Sequence, residues 1–307
     1  MRTSWGAFAL AGLAALLMPA IAAAEDKKAD AAKIKVILID GQNNHDWRST
    51  TPFLKKALED SDRFTVDVSS NLKEGDKPGK VDTVPFPPDL SKYDVLLSNY
   101  NGAAWPKEFQ KDLDSRLKDG KIALVIVHAA NNAFGNWLEY NQMIGMGWRD
   151  NKFGDRLIID ESGKEKRVPK GEGPGAGHGP KHSFKITIRD SEHPITKGMP
   201  KEWLHTSDEL YQGMRGPIQH VHLLATAYSD REKYKGTGEH EPMIWTVAYG
   251  KGRVFHTPMG HDLGAMRDVG FVTTLTRGTE WAATGKVTIP IPDNFPTADK
   301  TSPIPEK

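Results

Sequence analysis

The sequence predicts an α/β fold built on a doubly wound, mostly parallel sheet. Several short segments, of which residues 33–40 and 122–127 are the clearest, are nearly continuous apolar runs bounded by charged or turn residues. Such runs are typical of strands that are buried on both faces of a parallel sheet. Segments with helical spacing alternate with them, and this order favours a doubly wound sheet, in which ligands bind outside the carboxyl ends of the strands.

Residues 1–24 are predicted to be a secretory signal peptide that takes no part in the fold. Arg2 is followed by an apolar run over residues 6–21 and by three alanines at 22–24. The run is short for a membrane-spanning helix, which needs roughly 18 or more apolar residues. An uncleaved interfacial anchor is the alternative. We therefore expect an exported protein, periplasmic or extracellular, whose mature chain makes no stable membrane insertion.

Composition excludes several classes of protein. The chain has no cysteine, so disulfides and thiol nucleophiles are ruled out. Lys and Arg total 41 against 40 for Asp and Glu, without basic clusters, so nothing indicates a nucleic-acid partner. We expect a flexible linker at 25–32, one domain at 33–286, a flexible proline-rich tail at 287–307 and a small-molecule ligand. The oligomeric state stays open, a homo-oligomer included.

The amino-terminal half of the domain alternates strands and helices. Residues 33–40 form the first strand, and Ser49 or Thr50 can cap a helix with Pro52 in its first turn. The segments predicted after it are strands at 64–68, 93–98 and 122–127 and helices at 106–118 and 134–144.

Residues 147–181 break this alternation with charged residues and a glycine cluster at 171–179, which indicates an inserted loop. The insert carries His178 and His182 and is a candidate mobile lid, although exposed loop histidines are more often inert. The segments predicted beyond it are strands at 184–188, 223–228, 243–248 and 253–256 and a last helix at 271–283.

The loop after the first strand combines amides with His45, Asp46 and Trp47. Carbohydrate sites use this mixture, because amides and carboxylates bind hydroxyls while an indole covers the apolar face of a sugar ring. The alternative is a turn that caps the next helix, with Trp47 in the core.

His128 follows the most apolar segment of the domain, where doubly wound proteins place reactive groups. Asn131 follows it and leads towards a helix whose amino terminus favours an anion. A buried histidine with only a structural role is the alternative. Neither a Gly-x-Ser-x-Gly nor a Gly-x-Cys-x-Gly elbow is present, so a serine or cysteine triad is excluded.

His45, His128 and His261 each follow a predicted strand, and the carboxyl ends of parallel strands meet at one edge of a sheet. We therefore expect the three imidazoles to line one cavity. Asp208 and Glu209 are candidates beside them, but neighbours point in different directions, so at most one should face the cavity. The group can hold a divalent metal or act as acids and bases without one. No HExxH spacing is present, and the metal stays unknown.

Several segments together resemble the ThuA-like (trehalose utilisation) family, over nearly all of residues 33–285. They are NHDW at 44–47, VHAANNAF at 127–134 with Trp137 and Tyr140, the segment 144–148, HPIT at 193–196, DELY at 208–211, YGKGRVF at 249–255, MGHD at 259–262 and RGTEWAATG at 277–285. The resemblance implies the flavodoxin-like fold of the class I glutamine amidotransferase-like group. Amidotransferase activity is not implied, because His128 or its neighbour stands at the nucleophile position.

The family is associated with disaccharide metabolism through 3-keto sugars. A 3-ketone acidifies the proton on C2, so a base and an electrophile can isomerise such a sugar or expel its glycosidic group. The resemblance therefore implies a lyase, hydrolase or isomerase with His128, His261 and Glu209 as catalytic residues. The expected sugar-binding residues are His45, Asp46, Trp47, Asn131 and Asp208. A non-catalytic carbohydrate-binding module is the alternative.

Overall fold

Helices cover both faces of one large central sheet. The structure is a computed structural model that describes Met1 and residues 32–160 and 162–305. Apart from Met1 and Ala32, the predicted signal peptide (1–24) and linker (25–32) lie outside the described residues. Residues 33–307 form one compact unit. None of the helices described is both long and apolar enough to span a membrane.

The strands of the described part are β1 (Ile34–Asp40), β2 (Phe64–Ser70), β3 (Val95–Ser98), β4 (Ala123–Val127), β5 (Arg156–Ile159), β6 (Glu165–Val168), β7 (Gly177–His178), β8 (His182–Ile188), β9 (Glu202–Asp208), β10 (Tyr211–Gln212), β11 (Val221–Tyr228), β12 (His240–Tyr249) and β13 (Gly252–Thr257). The α-helices are α1 (Trp47–Glu59), α2 (Lys107–Lys118), α3 (Leu138–Ile144), α4 (Arg231–Tyr234), α5 (Leu263–Met266) and α6 (Val269–Thr284).

The sheet has a parallel part and an antiparallel part. Its strand order is β2-β1-β3-β4-β13-β12-β11-β8-β9, with β5 paired to β12 and β6 paired to β5. Strands β2, β1, β3, β4 and β13 run parallel, and the pairs from β13 onward are antiparallel. The carboxyl ends of β1, β3, β4 and β13 therefore share one edge, which is where the predicted histidines follow.

The alternating side chains of β1 show why the sequence forms a layered fold. Val36 and Leu38 belong to one apolar core, and Ile37 and Ile39 belong to the other, because successive side chains of a strand point to opposite faces. Helices α1 and α6 pack in the first core, and α2 and α3 pack in the second. This arrangement confirms the predicted doubly wound α/β fold.

Two predicted helix starts are wrong. Helix α1 begins at Trp47 with Asp46 at its N-cap, so Ser49 and Thr50 lie inside the helix instead of capping it. Helix α3 begins at Leu138 and not at 134, because Phe134 has a φ of 55°, which a helix does not accept.

The predicted inserted loop at 147–181 contains β5, β6 and β7, and β9 was not predicted at all. Strand β9 alternates polar and apolar residues over a short stretch, EWLHTSD. Short strands with so many polar side chains lack the continuous apolar pattern by which the parallel strands were recognised.

The prediction of a flexible carboxyl-terminal tail is wrong. The buried carboxylate of Glu280 accepts hydrogen bonds from the backbone N–H groups of Thr288 and Ile289. Phe295 packs against Trp203, and the N–H of Ile304 donates to the carbonyl of Arg267. The tail therefore packs on the domain that it follows.

Candidate active site

The predicted convergence of His45, His128 and His261 is confirmed. The ring centroid of His45 lies 4.7 Å from that of His128 and 4.6 Å from that of His261. The centroids of His128 and His261 are 5.6 Å apart. Strands β1, β4 and β13 deliver these residues to one edge of the parallel part of the sheet.

His128 is fixed by its backbone and by both ring nitrogens. Its φ of 46° lies in a region that side-chain-bearing residues rarely adopt, a strain that is typical of functional turns. Its Nδ1 lies 2.7 Å from the carbonyl oxygen of Pro258, which can only accept, so Nδ1 carries the hydrogen. The Tyr211 hydroxyl then donates to Nε2 at 3.0 Å. Burial lowers the pKa of His128 to about 3, so this imidazole is neutral.

Glu209 follows β9 and reaches three imidazoles. Its Oε1 lies 3.2 Å from Nε2 of His261 and 3.4 Å from Nε2 of His178. Its Oε2 lies 3.6 Å from Nε2 of His128. Burial raises the pKa of Glu209, and the nearby Asp208 carboxylate adds to the rise. We call His45, His128, His178, His261 and Glu209 the histidine cluster.

His178 was not predicted as a catalytic residue. It lies on β7, which pairs with β10 so that His178 stands opposite Tyr211. Its Nδ1 lies 2.7 Å from the carbonyl oxygen of Gly179, and its side chain is 36% exposed. Two-residue strands inside a glycine-rich insert leave no periodic pattern in the sequence, so only the pairing reveals this position.

His261 lies in a tight turn that Gly260 makes possible. Gly260 has a φ of 101°, and a Cβ on it would lie 2.8 Å from the Phe271 ring. Nδ1 of His261 lies 3.1 Å from the Asp262 carboxylate, so Nε2 faces Glu209. Burial alone would raise the pKa of Asp262, but its hydrogen bond from Lys181 helps to hold it at about 2.

Asp208 supports this turn from behind and does not reach a ligand. It has no exposed surface and accepts hydrogen bonds from the backbone N–H groups of Glu209, Gly260 and His261. The prediction that Asp208 binds sugar hydroxyls is therefore wrong. The expectation that at most one of Asp208 and Glu209 faces the site is confirmed.

Asp208 also belongs to a second group, which we call the buried triad: His205, Asp208 and Asp268. Nε2 of His205 lies 2.9 Å from Asp208, and its Nδ1 lies 3.6 Å from Asp268. All three side chains are fully buried. Burial alone would lower the pKa of His205, but the hydrogen bonds and charges of the two carboxylates outweigh it and raise this pKa to about 9.

The loop after β1 carries three predicted sugar-binding residues, His45, Asp46 and Trp47, and each has different surroundings. The N–H of His45 donates to the Asn43 side chain, and burial, with the nearby His261, lowers the pKa of His45 to about 4. Asp46 is exposed and accepts from the Ser49 hydroxyl. Trp47 is only 4% exposed and packs beside Gly79, so the expected stacking of Trp47 on a sugar is wrong.

Asn131 is also too buried to bind a ligand directly. It has no exposed surface, and its amide nitrogen lies 3.2 Å from Nε2 of His256. The prediction that Asn131 binds sugar is therefore wrong. Asn131 instead supports the turn after β4, where its carbonyl accepts from the N–H of Trp148.

An open polar pocket lies beside the histidine cluster, with a volume of about 410 Å³. Its lining contains hydroxyl, carboxylate and ammonium groups together with a short apolar segment. These residues are Asp46, Ser49, Thr50, Lys181, Thr206, Ser207, Asp262, Leu263 and Gly264. Asp46 and Asp262 adjoin His45 and His261 in the chain, so the pocket and the cluster are neighbours.

Comparisons with known proteins agree with the fold. A model of the ThuA family, described as trehalose utilisation, matches residues 35–282. The structure is similar to a ThuA-like protein from Parabacteroides merdae, with 40% identity and a TM-score of 0.81 over 89% of this chain and 98% of that one. A ThuA-like protein from Bacteroides uniformis has 17% identity and a TM-score of 0.56, over 85% and 95%. A search of curated proteins returned no match.

Proposed function

The chain belongs to the ThuA family, and on that premise we propose that it is an enzyme that removes the C2 proton of a 3-keto-glycoside at the histidine cluster. The observation that carries this proposal is the convergence of four imidazoles and one carboxylate beside an open polar pocket. Trehalose utilisation, the description of the family, supports a disaccharide-derived substrate.

The roles differ from those expected from the sequence. His128 is only 3% exposed, and its Nε2 already accepts from Tyr211, so it acts as a positioning residue. His178 is more exposed, and its Nδ1 donates to Gly179, which leaves a lone pair on Nε2. We therefore assign the base to His178.

The reaction needs one base and one electrophile. His178 Nε2 takes the C2 proton, and the electron pair of the C–H bond forms the enolate, with its charge on the C3 oxygen. The C3 ketone then reforms, the electron pair moves into a new C1=C2 double bond, the glycosidic C1–O bond breaks, and the leaving oxygen takes the proton from His178. The group that stabilises the C3 oxygen lies among His45, His261 and Glu209.

Hydrogen exchange in D₂O tests this proposal. The protein is incubated with 3-ketotrehalose or a methyl 3-keto-glucoside, and loss of the C2–H signal and release of the aglycone are followed by NMR. His178→Ala is expected to lower the exchange rate by about 10²- to 10⁴-fold, which is the usual contribution of a positioned base.

His182→Ala is the matched control. It removes the next histidine along the chain, but His182 begins β8 and stacks on Tyr234, with ring centroids 3.6 Å apart. We expect this variant to retain the wild-type rate. Saturable sugar binding without C2 exchange would instead identify a carbohydrate-binding module, and wild-type exchange in His178→Ala would remove His178 from the role of base.

A further inference from the structure

Three imidazoles of the histidine cluster present nitrogens without hydrogen to one carboxylate. In each of them Nδ1 faces a group that can only accept, so Nδ1 carries the hydrogen of the neutral ring. These acceptors are the carbonyl of Pro258 for His128, the carbonyl of Gly179 for His178 and the carboxylate of Asp262 for His261. Nε2 of His261 and Nε2 of His178 then direct their lone pairs towards Glu209, at 3.2 and 3.4 Å, whereas Nε2 of His128, 3.6 Å from Glu209, accepts from Tyr211.

Lone pairs that face a partly buried carboxylate repel it unless a positive centre lies between them. An imidazole proton can serve at one of these contacts only if that ring becomes charged. His128 donates its ring N–H to the carbonyl of Pro258, and its Nε2 accepts from Tyr211, so it has no proton to give to Glu209. The arrangement therefore fits a cation that is bound by several side chains of the histidine cluster.

We propose that His45, Glu209 and His261 bind a divalent transition metal of the Zn²⁺ class. One ligand atom from each of these residues lies within 4.8 Å of the other two. Zn–N and Zn–O bonds of about 2.0 to 2.2 Å place tetrahedral ligand atoms roughly 3.4 Å apart. The distance of 3.2 Å between Glu209 Oε1 and His261 Nε2 matches this spacing.

The surroundings of these ligands resemble those of metal sites. His261 donates its second ring N–H to Asp262, the carboxylate–histidine pairing that fixes a ligating imidazole. Asp208 holds the backbone N–H groups of Gly260 and His261 and so fixes the turn that carries this ligand. Two histidines and one glutamate leave a coordination position open, as in catalytic zinc sites.

The open position gives the metal a role at the C3 oxygen of the substrate, where a cation stabilises the enolate charge. This role rests on the proposed function, whereas the binding of the metal does not. The two statements are therefore tested by separate measurements.

The experiment uses the full chain, stripped with a chelator and titrated with Zn²⁺ in equilibrium dialysis, with Co²⁺ absorption as a spectroscopic readout of the ligands. We expect one ion per chain. His261→Ala and Glu209→Gln are expected to lower the affinity by more than about 100-fold, since loss of a supporting residue alone costs roughly 10- to 100-fold. His222→Ala removes an exposed imidazole that pairs with Asp190 and should bind as the wild type does.

Absence of stoichiometric binding in folded wild-type protein, or unchanged binding in both His261→Ala and Glu209→Gln, would overturn the metal site. Thermal unfolding of each variant checks that it is folded. If a chelated enzyme still exchanges the C2 proton, the proposed function stands and the metal is not its electrophile. If the metal binds as expected but no 3-keto sugar exchanges, the site stands and the proposed function fails.

Discussion

The histidine cluster and the buried triad both combine imidazoles with carboxylates. The triad presents imidazole protons to its carboxylates, whereas the cluster presents imidazole lone pairs. In the buried triad, both ring nitrogens of His205 face carboxylate oxygens: Nε2 is hydrogen-bonded to Asp208 at 2.9 Å, and Nδ1 lies 3.6 Å from Asp268, so a charged imidazole pairs with both carboxylates. In the histidine cluster, the nitrogens that face Glu209 carry lone pairs, because their rings donate elsewhere. The first group pairs its opposite charges within the protein, whereas the second suits a cation from outside, such as the proposed metal.

This difference separates a structural group from a functional one more clearly than residue identity does. A buried charge must be paired and hydrogen-bonded to be tolerated. The buried triad pairs the imidazole with two carboxylates, one of which, Asp208, also holds the His261 turn in place. The histidine cluster lies beside the open pocket and directs imidazole lone pairs at the Glu209 carboxylate, an arrangement that suits a bound ligand.

The largest expected effect is that of a substitution that breaks the buried triad. Asp208→Asn leaves the charged His205 with only one carboxylate and weakens the turn that carries His261. We expect a loss of about 3 to 5 kcal/mol in the free energy of unfolding, because a buried charge loses its partner. Urea denaturation measures it. Asp299→Asn, which removes an exposed partner of Lys185, is the control and should change stability by less than about 1 kcal/mol. Equal effects of the two variants would contradict the assignment of the triad as structural.

The triad should also make stability depend on alkaline pH. His205 has a pKa of about 9 in the folded protein and an ordinary value near 6.5 when unfolded. The folded state therefore binds more protons between these values, and its stability falls as pH rises through this window. The contribution is complete below pH 6.5 and is lost above about 9, with a size of up to about 3 kcal/mol.

Denaturation curves of the wild type and of His205→Gln, compared at several pH values from 6 to 10, test this dependence. The variant should have a flatter profile because the titrating group is gone. Parallel profiles would show that His205 is neutral and that Asp208 and Asp268 do not hold it in its charged form.

The sequence predicted the parallel part of the fold well because its strands are continuous apolar runs. It also predicted that His45, His128 and His261 meet, since parallel strands share one edge. It did not predict His178, because the pairing of β7 with β10 depends on contacts across the fold. It also misplaced Trp47, since an indole that fills the core and one that covers a sugar have the same local sequence.

A smaller effect is expected at Asp262, which accepts a hydrogen bond from the proposed metal ligand His261. Asp262→Asn removes the charge that faces Nδ1 of His261 but preserves the shape of the side chain. We expect Zn²⁺ affinity to fall by about 10- to 100-fold, or roughly 1.4 to 2.7 kcal/mol. Asp46→Asn, at another wall of the same pocket, is the control and should keep its affinity. A smaller loss at Asp262 than at Asp46 would exclude the proposed pairing.

The smallest expected effect is that of Glu209→Gln on the free energy of unfolding. Its sign should change when the metal is added. In metal-free protein, Glu209→Gln replaces an acceptor with an amide N–H that can donate to a bare imidazole nitrogen. We therefore expect a gain of about 1 kcal/mol in the free energy of unfolding, the net value of one hydrogen bond. With excess Zn²⁺ the wild type should become the more stable protein, because a metal that binds only the folded state adds to its stability. Denaturation with and without Zn²⁺ measures both signs. If Glu209→Gln destabilises the metal-free protein, Glu209 is already paired as Asp208 is, and the contrast between the two groups fails.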